Sequence, residues 1–163
     1  MDYRKATESD VGLIMQFVRE LARFHGMEDG MTVTEQVLRA QIFHKKRAEV
    51  IFAMDGEMEA GFALYYYDFS SVLGRVGLHL EDLYVRPEYR GQGYGKALLS
   101  RLAAIAKEQG CARLEWVCLE SNTPSIDFYI GLGAKRMDEW ALFRLDGDEL
   151  ASLAKFGDAA EKA

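Results

Sequence analysis

The sequence predicts a mixed α/β domain of the α+β kind, on three observations. Segments with strand and helix periodicity alternate along the 163 residues without one simple repeat. Asp55-Gly56 stands between two apolar runs, which is hairpin-turn chemistry. An apolar run ending at Val85 leads through a loop with three glycines in five residues, Gly91, Gly93 and Gly95, straight into an amphipathic helix.

The elements follow in order. Tyr3 to Lys5 reads as a short first strand. Ser9 is placed to cap a helix whose Leu13, Phe17, Leu21 and Phe24 recur every fourth residue as an apolar stripe. Thr34 is placed to cap a second helix carrying Val37, Leu38, Ile42 and Phe43. Ala48 to Met54 and Glu59 to Tyr67 form the hairpin, and residues 75–85 the next strand. Leu98, Leu102, Ile105 and Ala106 give the following helix its buried face, and Gly110 ends it. Leu114 to Leu119 is a strand, Thr123-Pro124 opens a helix with proline at its first position, and Trp140 to Leu145 is a last strand before a short helix that Asp146 caps. One domain is expected over residues 1–163, with its core at 3–153 and a short tail at 154–163.

Composition narrows the function classes. Net charge is -6, and the 20 basic residues are scattered, which argues against a nucleic-acid partner. No apolar run approaches the roughly 20 residues that span a bilayer, so no membrane partner is expected. The first residues lack the apolar centre of a signal peptide, and Cys111 and Cys118 make neither a disulfide framework nor a metal spacing. His25, His44 and His79 form no ligand set with them, so no metal is expected. The cytoplasm is the expected compartment.

Glycines at 91, 93 and 95 let backbone N–H groups approach a ligand closely. The helix start adds unpaired donors and the positive end of a dipole, which together suit a phosphate or pyrophosphate. Spacing excludes two familiar phosphate loops. The dinucleotide pattern G-x-G-x-x-G from Gly91 would need glycine at 96, where Lys96 stands. The triphosphate pattern G-x-x-x-x-G-K-[ST] ending at Gly95-Lys96 would need glycine at 90 and a hydroxyl at 97, where Arg90 and Ala97 stand. A lysine in a helix's first turn opposes the helix dipole, and Lys96, near Arg86 and Arg90, makes sense beside a bound anion.

Arg90-x-x-Gly93-x-Gly95 resembles the [RQ]-x-x-G-x-[GA] signature of the GNAT acetyltransferases. Asn122-Thr123-Pro124-Ser125-Ile126-Asp127-Phe128-Tyr129, with Gly133-Ala134 beyond, resembles that superfamily's second hallmark. The resemblance implies the GNAT acyl-CoA N-acyltransferase fold, a central, mostly antiparallel mixed sheet flanked by helices, with acetyl-CoA as cosubstrate. It assigns Leu83, Tyr84, Val85, Arg90, Gly91, Gln92, Gly93, Tyr94, Gly95, Lys96 and Asn122 to the coenzyme. Tyr129 falls beside the coenzyme sulfur as the candidate acid. Glu20-Leu21-Ala22-Arg23-Phe24, Leu80-Glu81-Asp82-Leu83 and Trp140-Ala141-Leu142-Phe143 are similar to the spermidine/spermine (diamine) and thialysine branch. That branch implies a small-molecule amine acceptor, Glu81 as base, Asp82, Glu28 and Asp29 as substrate contacts, and a homodimer. Phe143, Leu145, Leu150 and Leu153 are interface candidates that serve equally as core.

The chemistry explains the residue types. A lysine-like amine of pKa about 10.4 is protonated at pH 7, and freeing its lone pair costs about 4–5 kcal/mol. A carboxylate, acting directly or through water, shares that work. Backbone N–H groups at 83–85 would polarise the thioester carbonyl, and a hydroxyl would protonate the departing sulfur. Glu81 and Asp82 are strand neighbours and face opposite sides of the sheet unless a bulge intervenes. Two departures from the branch leave the acceptor open among polyamines, lysine analogues and other small amines. His25 stands where polyamine enzymes carry an acid, and the loop Ser70-Ser71-Val72-Leu73-Gly74-Arg75 lacks the branch's tryptophan. A protein or peptide acetyltransferase and a catalytically idle acyl-CoA-binding module are the competing readings.

Overall fold

Strand periodicity over residues 49–85 becomes the middle of a five-stranded sheet in the order β1-β2-β3-β4-β5. The computed structural model describes residues 1–160 as two units, Met1–Asn122 and a second that starts at Thr123. The first unit holds β1 (Asp2–Lys5), α1 (Val11–Phe24), α2 (Glu35–Leu38), β2 (Glu49–Asp55), β3 (Met58–Ser70), β4 (Arg75–Val85), α3 (Tyr94–Glu108) and β5 (Leu114–Trp116). β1 to β4 pair antiparallel in sequence order, and β5 lies parallel to β4. The mixed, mostly antiparallel sheet expected from the sequence is present.

Alternation along the strands decides which face each side chain takes. Val50, Phe52, Phe62, Leu64 and Tyr84 turn to the α1 side and pack with Val11, Ile14 and Phe17. Phe17 stacks on Phe62 with ring centroids 5.0 Å apart and is fully buried. Burying such a side chain contributes about 2–3 kcal/mol. On the opposite face Leu98, Leu102 and Ile105 of α3 are buried.

Caps and turns deviate from expectation at defined points. A single 3-10 turn, Glu8–Asp10, precedes α1, and it is Thr7, not Ser9, that stands at its start, with its N–H donated to Asp10 Oδ2 at 2.7 Å. Asp10 then stands at the N-cap of α1. At the other end, Gly26 at φ 68 lets its own N–H reach Arg23 O and the Met27 N–H reach Ala22 O, closing α1 with paired carbonyls. Thr34 does cap α2, its hydroxyl accepting from the Val37 N–H at 3.2 Å. The helix continues not as α but as a π-helix over Arg39–His44.

The strand expected over 114–119 pairs only across Leu114–Trp116, opposite Leu78 to Leu80. The second unit contains α4 (Thr123–Gly131) and α5 (Gly147–Ala160). The strand expected at 140–145 does not form among the described residues. A β-strand exists only through a partner's hydrogen bonds, and apolar composition alone supplies none. The tail expected at 154–163 is helical to Ala160, and residues 161–163 lie outside the described ones.

Candidate active site

The β4 strand breaks its pairing at Glu81. Leu80 faces Tyr65 and Asp82 faces Leu64, so two residues of β3 meet three of β4, and Glu81 is the extra one. Such a bulge shifts the alternation by one position. Leu80 keeps the α3 side, while Asp82, opposite Leu64, takes the α1 side. Glu81 is exposed and Asp82 half-buried. Burial, with the charge of Glu81 added, pushes the Asp82 carboxyl up to about 6. The two carboxylates therefore interact, and the opposite-face arrangement of an unbroken strand does not apply.

Beyond the bulge, no strand among the described residues pairs with β4 on its β5 side, because that ladder ends at Leu80–Trp116. Arg86 N–H donates to Ala60 O at 3.0 Å, so by alternation Tyr84 and Asp82 also turn their N–H groups toward β3. Leu83 and Val85 turn theirs away from β3, so within the 83–85 set these two N–H groups are the ones not directed at that strand. Val85 O lies on that side too, and it accepts from Arg90 Nε at 2.9 Å.

The glycine loop follows directly. After the 3-10 turn Pro87–Tyr89, Gly91 and Gly93 adopt φ 73 and φ 90, backbone conformations that disfavour L side chains. Open space surrounds the Cβ position of each, so a ligand can reach the backbone. Gly93 caps α3, leaving the first-turn N–H groups of Tyr94, Gly95 and Lys96 at its dipole's positive end. This cradle fits a pyrophosphate. Gln92 ties the loop to itself by donating Nε2 to Glu88 O at 2.9 Å. Arg90 lies over the rings of Phe24 and Tyr84, at 4.7 and 5.3 Å.

The remaining predicted residues lie as follows. Glu28 and Asp29 form a 3-10 turn after α1. Glu28 is engaged by Arg23, at 2.9 and 2.7 Å, whose hydrogen bond holds its carboxyl below the usual range. Asn122 ends the first unit, its N–H on Leu119 O at 2.9 Å. Tyr129 lies on α4 of the second unit, its ring 5.4 Å from that of Phe128. The structure thus brings together Glu81, Asp82, the Leu83 and Val85 N–H groups of β4 and the glycine loop. Among the described residues, no group of His, Cys, Asp and Glu side chains assembles for a metal ion.

Two features escaped the sequence. Tyr66 and His79 stack beside Glu81, with centroids 4.8 Å apart, and only the strand register reveals that pairing. Arg86, read as an anion neighbour, instead binds Glu20 of α1.

Residues 14–134 match the acetyltransferase (GNAT) family. The chain is 36% identical to thialysine N-epsilon-acetyltransferase of Bos taurus over a 163-residue alignment covering 93% of this chain and 95% of that protein. It is 37% identical to the Mus musculus protein of the same name, with the same coverage. Among solved structures, an integron cassette protein from the mobile metagenome of V. cholerae superposes with a TM-score of 0.79 at 29% identity, covering 94% of this chain and 97% of that one.

Proposed function

The chain belongs to the GNAT acetyltransferase family, and from there we propose that it transfers an acetyl group from acetyl-CoA to a primary amine of a small molecule, a di- or polyamine or a lysine analogue such as thialysine. The observation that carries the reading is the break in β4. One bulge exposes Glu81 and precedes a strand edge unpaired among the described residues, ten residues before Gly91 of the loop that fits a pyrophosphate.

Acetyl-CoA, when bound, supplies a thioester. The N–H groups at the start of α3 and around Gly91 and Gly93 would hold its pyrophosphate, and Asn122 would help hold the pantetheine arm. The Leu83 and Val85 N–H groups donate to the thioester oxygen, where negative charge grows as the amine attacks. Glu81 accepts the acceptor's ammonium proton, directly or through water. Asp82 contacts the acceptor beside it, and Glu28 and Asp29 contact its distal end. Tyr129 donates the proton that leaves with the sulfur. The whole chain works as one catalytic domain, in the cytoplasm and as a homodimer, and the exposure of Phe143, Leu145, Leu150 and Leu153 supports the dimer.

A thiol-release assay with acetyl-CoA across spermidine, spermine, putrescine, thialysine, lysine and a lysine peptide tests the reading. Turnover of one small amine at kcat/KM of at least roughly 10⁴ M⁻¹s⁻¹ is expected. Tyr129→Phe should lower kcat strongly while acetyl-CoA still binds, and equal loss of both would remove its role as acid. Glu81→Gln should depress the rate most below pH 8, and a pH-independent loss would remove its role as base. Light scattering at micromolar chain concentration tests the dimer.

A further inference from the structure

Glu81 lies at one end of a polar stripe on the α1 side of the sheet. Residues that pair across strands share a face. The register therefore places Tyr66 with His79, Asp68 with Gly77, and His79 with Glu115 on that side. The stacked rings of Tyr66 and His79 form the middle of the stripe.

Arg113 closes the far end. Its Nη2 donates to Asp68 Oδ2 at 2.7 Å and its Nε to Glu115, which leaves Nη1 for a ligand oxygen. A Cβ built on Gly77 would come within 3.2 Å of Arg113 Cζ, so the guanidinium lies down on the sheet where glycine makes room. Arg113 and Glu115 keep 28% and 44% of their side-chain surface exposed, enough for a ligand to reach them, whereas Asp68 Oδ1 is buried against Gly77 and its Oδ2 holds the guanidinium. Burial raises the Tyr66 phenol above its ordinary range, and the charges of Glu81 and Asp68 raise it further. Both ends of the stripe are therefore felt at one ring.

Length selects the occupant. Gly77 to Glu81 is four strand steps, about 13 Å. A hydrogen bond of about 3 Å at each end leaves about 7 Å between the bound groups. A five-bond chain such as the one from Cα to the side-chain nitrogen of lysine spans roughly 6 Å.

We propose that Arg113, Asp68 and Glu115 form a head-group subsite for an amino-acid acceptor, whose side-chain amine is held at Glu81. The inference rests on the acetyltransferase reading above. The α-carboxylate meets the Arg113 fork, for which guanidinium geometry is suited. The α-ammonium meets the carboxylate of Glu115, while Asp68 holds the guanidinium in place. A diamine can offer its distal ammonium to the same acidic group but has no anion for Arg113, so the subsite discriminates by the carboxylate contact that a diamine cannot make. The Tyr66–His79 rings underlie the stem, and aromatic edges favour a thioether there.

The test compares thialysine with bis(2-aminoethyl) sulfide, the same molecule without its carboxylate, at saturating acetyl-CoA. Wild type is expected to favour thialysine in kcat/KM by about tenfold or more. Arg113→Gln is expected to raise the thialysine KM about tenfold, with kcat nearly unchanged, and to leave the diamine within about twofold. Arg113→Lys, which keeps the charge without the fork, should recover part of the loss. Because both compounds meet the same fold, a merely structural defect would weaken both alike, and that outcome overturns the subsite. A wild type that prefers the diamine overturns it too. Turnover of neither compound by a wild type that acetylates spermidine or another amine would overturn the subsite and leave acetyl transfer standing, whereas turnover of no amine at all would overturn both. Turnover of both, unaltered in Arg113→Gln, would overturn the subsite alone.

Discussion

Arg86 and Glu20, 66 residues apart in sequence, bind through two hydrogen bonds of 3.2 and 3.3 Å. The guanidinium also donates to Glu59 O at 3.2 Å and stands 4.4 Å over the Phe17 ring. Their side chains are only 13% and 20% exposed. The pair fastens α1 to the end of β4, where the glycine loop begins.

Removing one partner leaves the other charge without compensation. Glu20→Gln is therefore expected to lower unfolding stability by about 3 kcal/mol. Urea unfolding reads this as a lower midpoint at unchanged slope. A loss below about 0.5 kcal/mol would mean the pair behaves like a solvent-screened one.

Asp82 should make the protein less stable as pH rises. Its folded pKa of about 6 lies above the usual carboxylate value of about 3.9. Its favourable contribution is thus complete below pH about 4 and is lost as pH rises through about 6. Asn resembles the protonated acid, so Asp82→Asn should stabilise by about 2 kcal/mol at pH 8 and by little at pH 4. Denaturation of both proteins across this range checks it, and a gain that ignores pH would refute the burial of the carboxyl.

Asp10 should act in the opposite sense. The hydrogen bond from Arg4, with others from Thr7, holds its pKa at about 2 against burial, and its side chain is 14% exposed. The stability it adds is present above pH about 4 and disappears as pH falls through about 2, a contribution of about 2 kcal/mol at neutral pH. Asp10→Asn should accordingly be destabilising at pH 7 and nearly neutral at pH 2. Equal deficits at both pH values would count against the ion pair as the cause.

Gly93 should separate folding strain from ligand approach. At φ 90 an alanine costs about 1–2 kcal/mol of strain, and its Cβ occupies the space a pyrophosphate needs. Gly74, at φ 60 with open space around it in the β3–β4 turn, incurs similar strain away from the loop. Gly93→Ala should weaken acetyl-CoA binding about tenfold or more, whereas Gly74→Ala should leave it unchanged. Calorimetric titration of both variants decides this, and equal affinities would move the pyrophosphate elsewhere.

Local chemistry carried much of this protein in its sequence. The Asp55-Gly56 turn, the Thr34 cap, the strand at 75–85 and the glycine spacing at 91–95 depend on neighbours a few residues away, so periodicity and turn preference suffice to place them. The family signatures at Arg90 and Asn122 are likewise local. Tertiary structure decided what depends on distant partners. The bulge at Glu81 arises from how β3 and β4 pair, and it reverses the face that simple alternation assigns. The expected strand at 140–145 does not form among the described residues, because composition cannot supply a partner's ladder. Arg86 turned to Glu20, and Arg113 came to lie over Gly77, because charge pairing in a folded chain follows spatial proximity, which sequence distance does not encode.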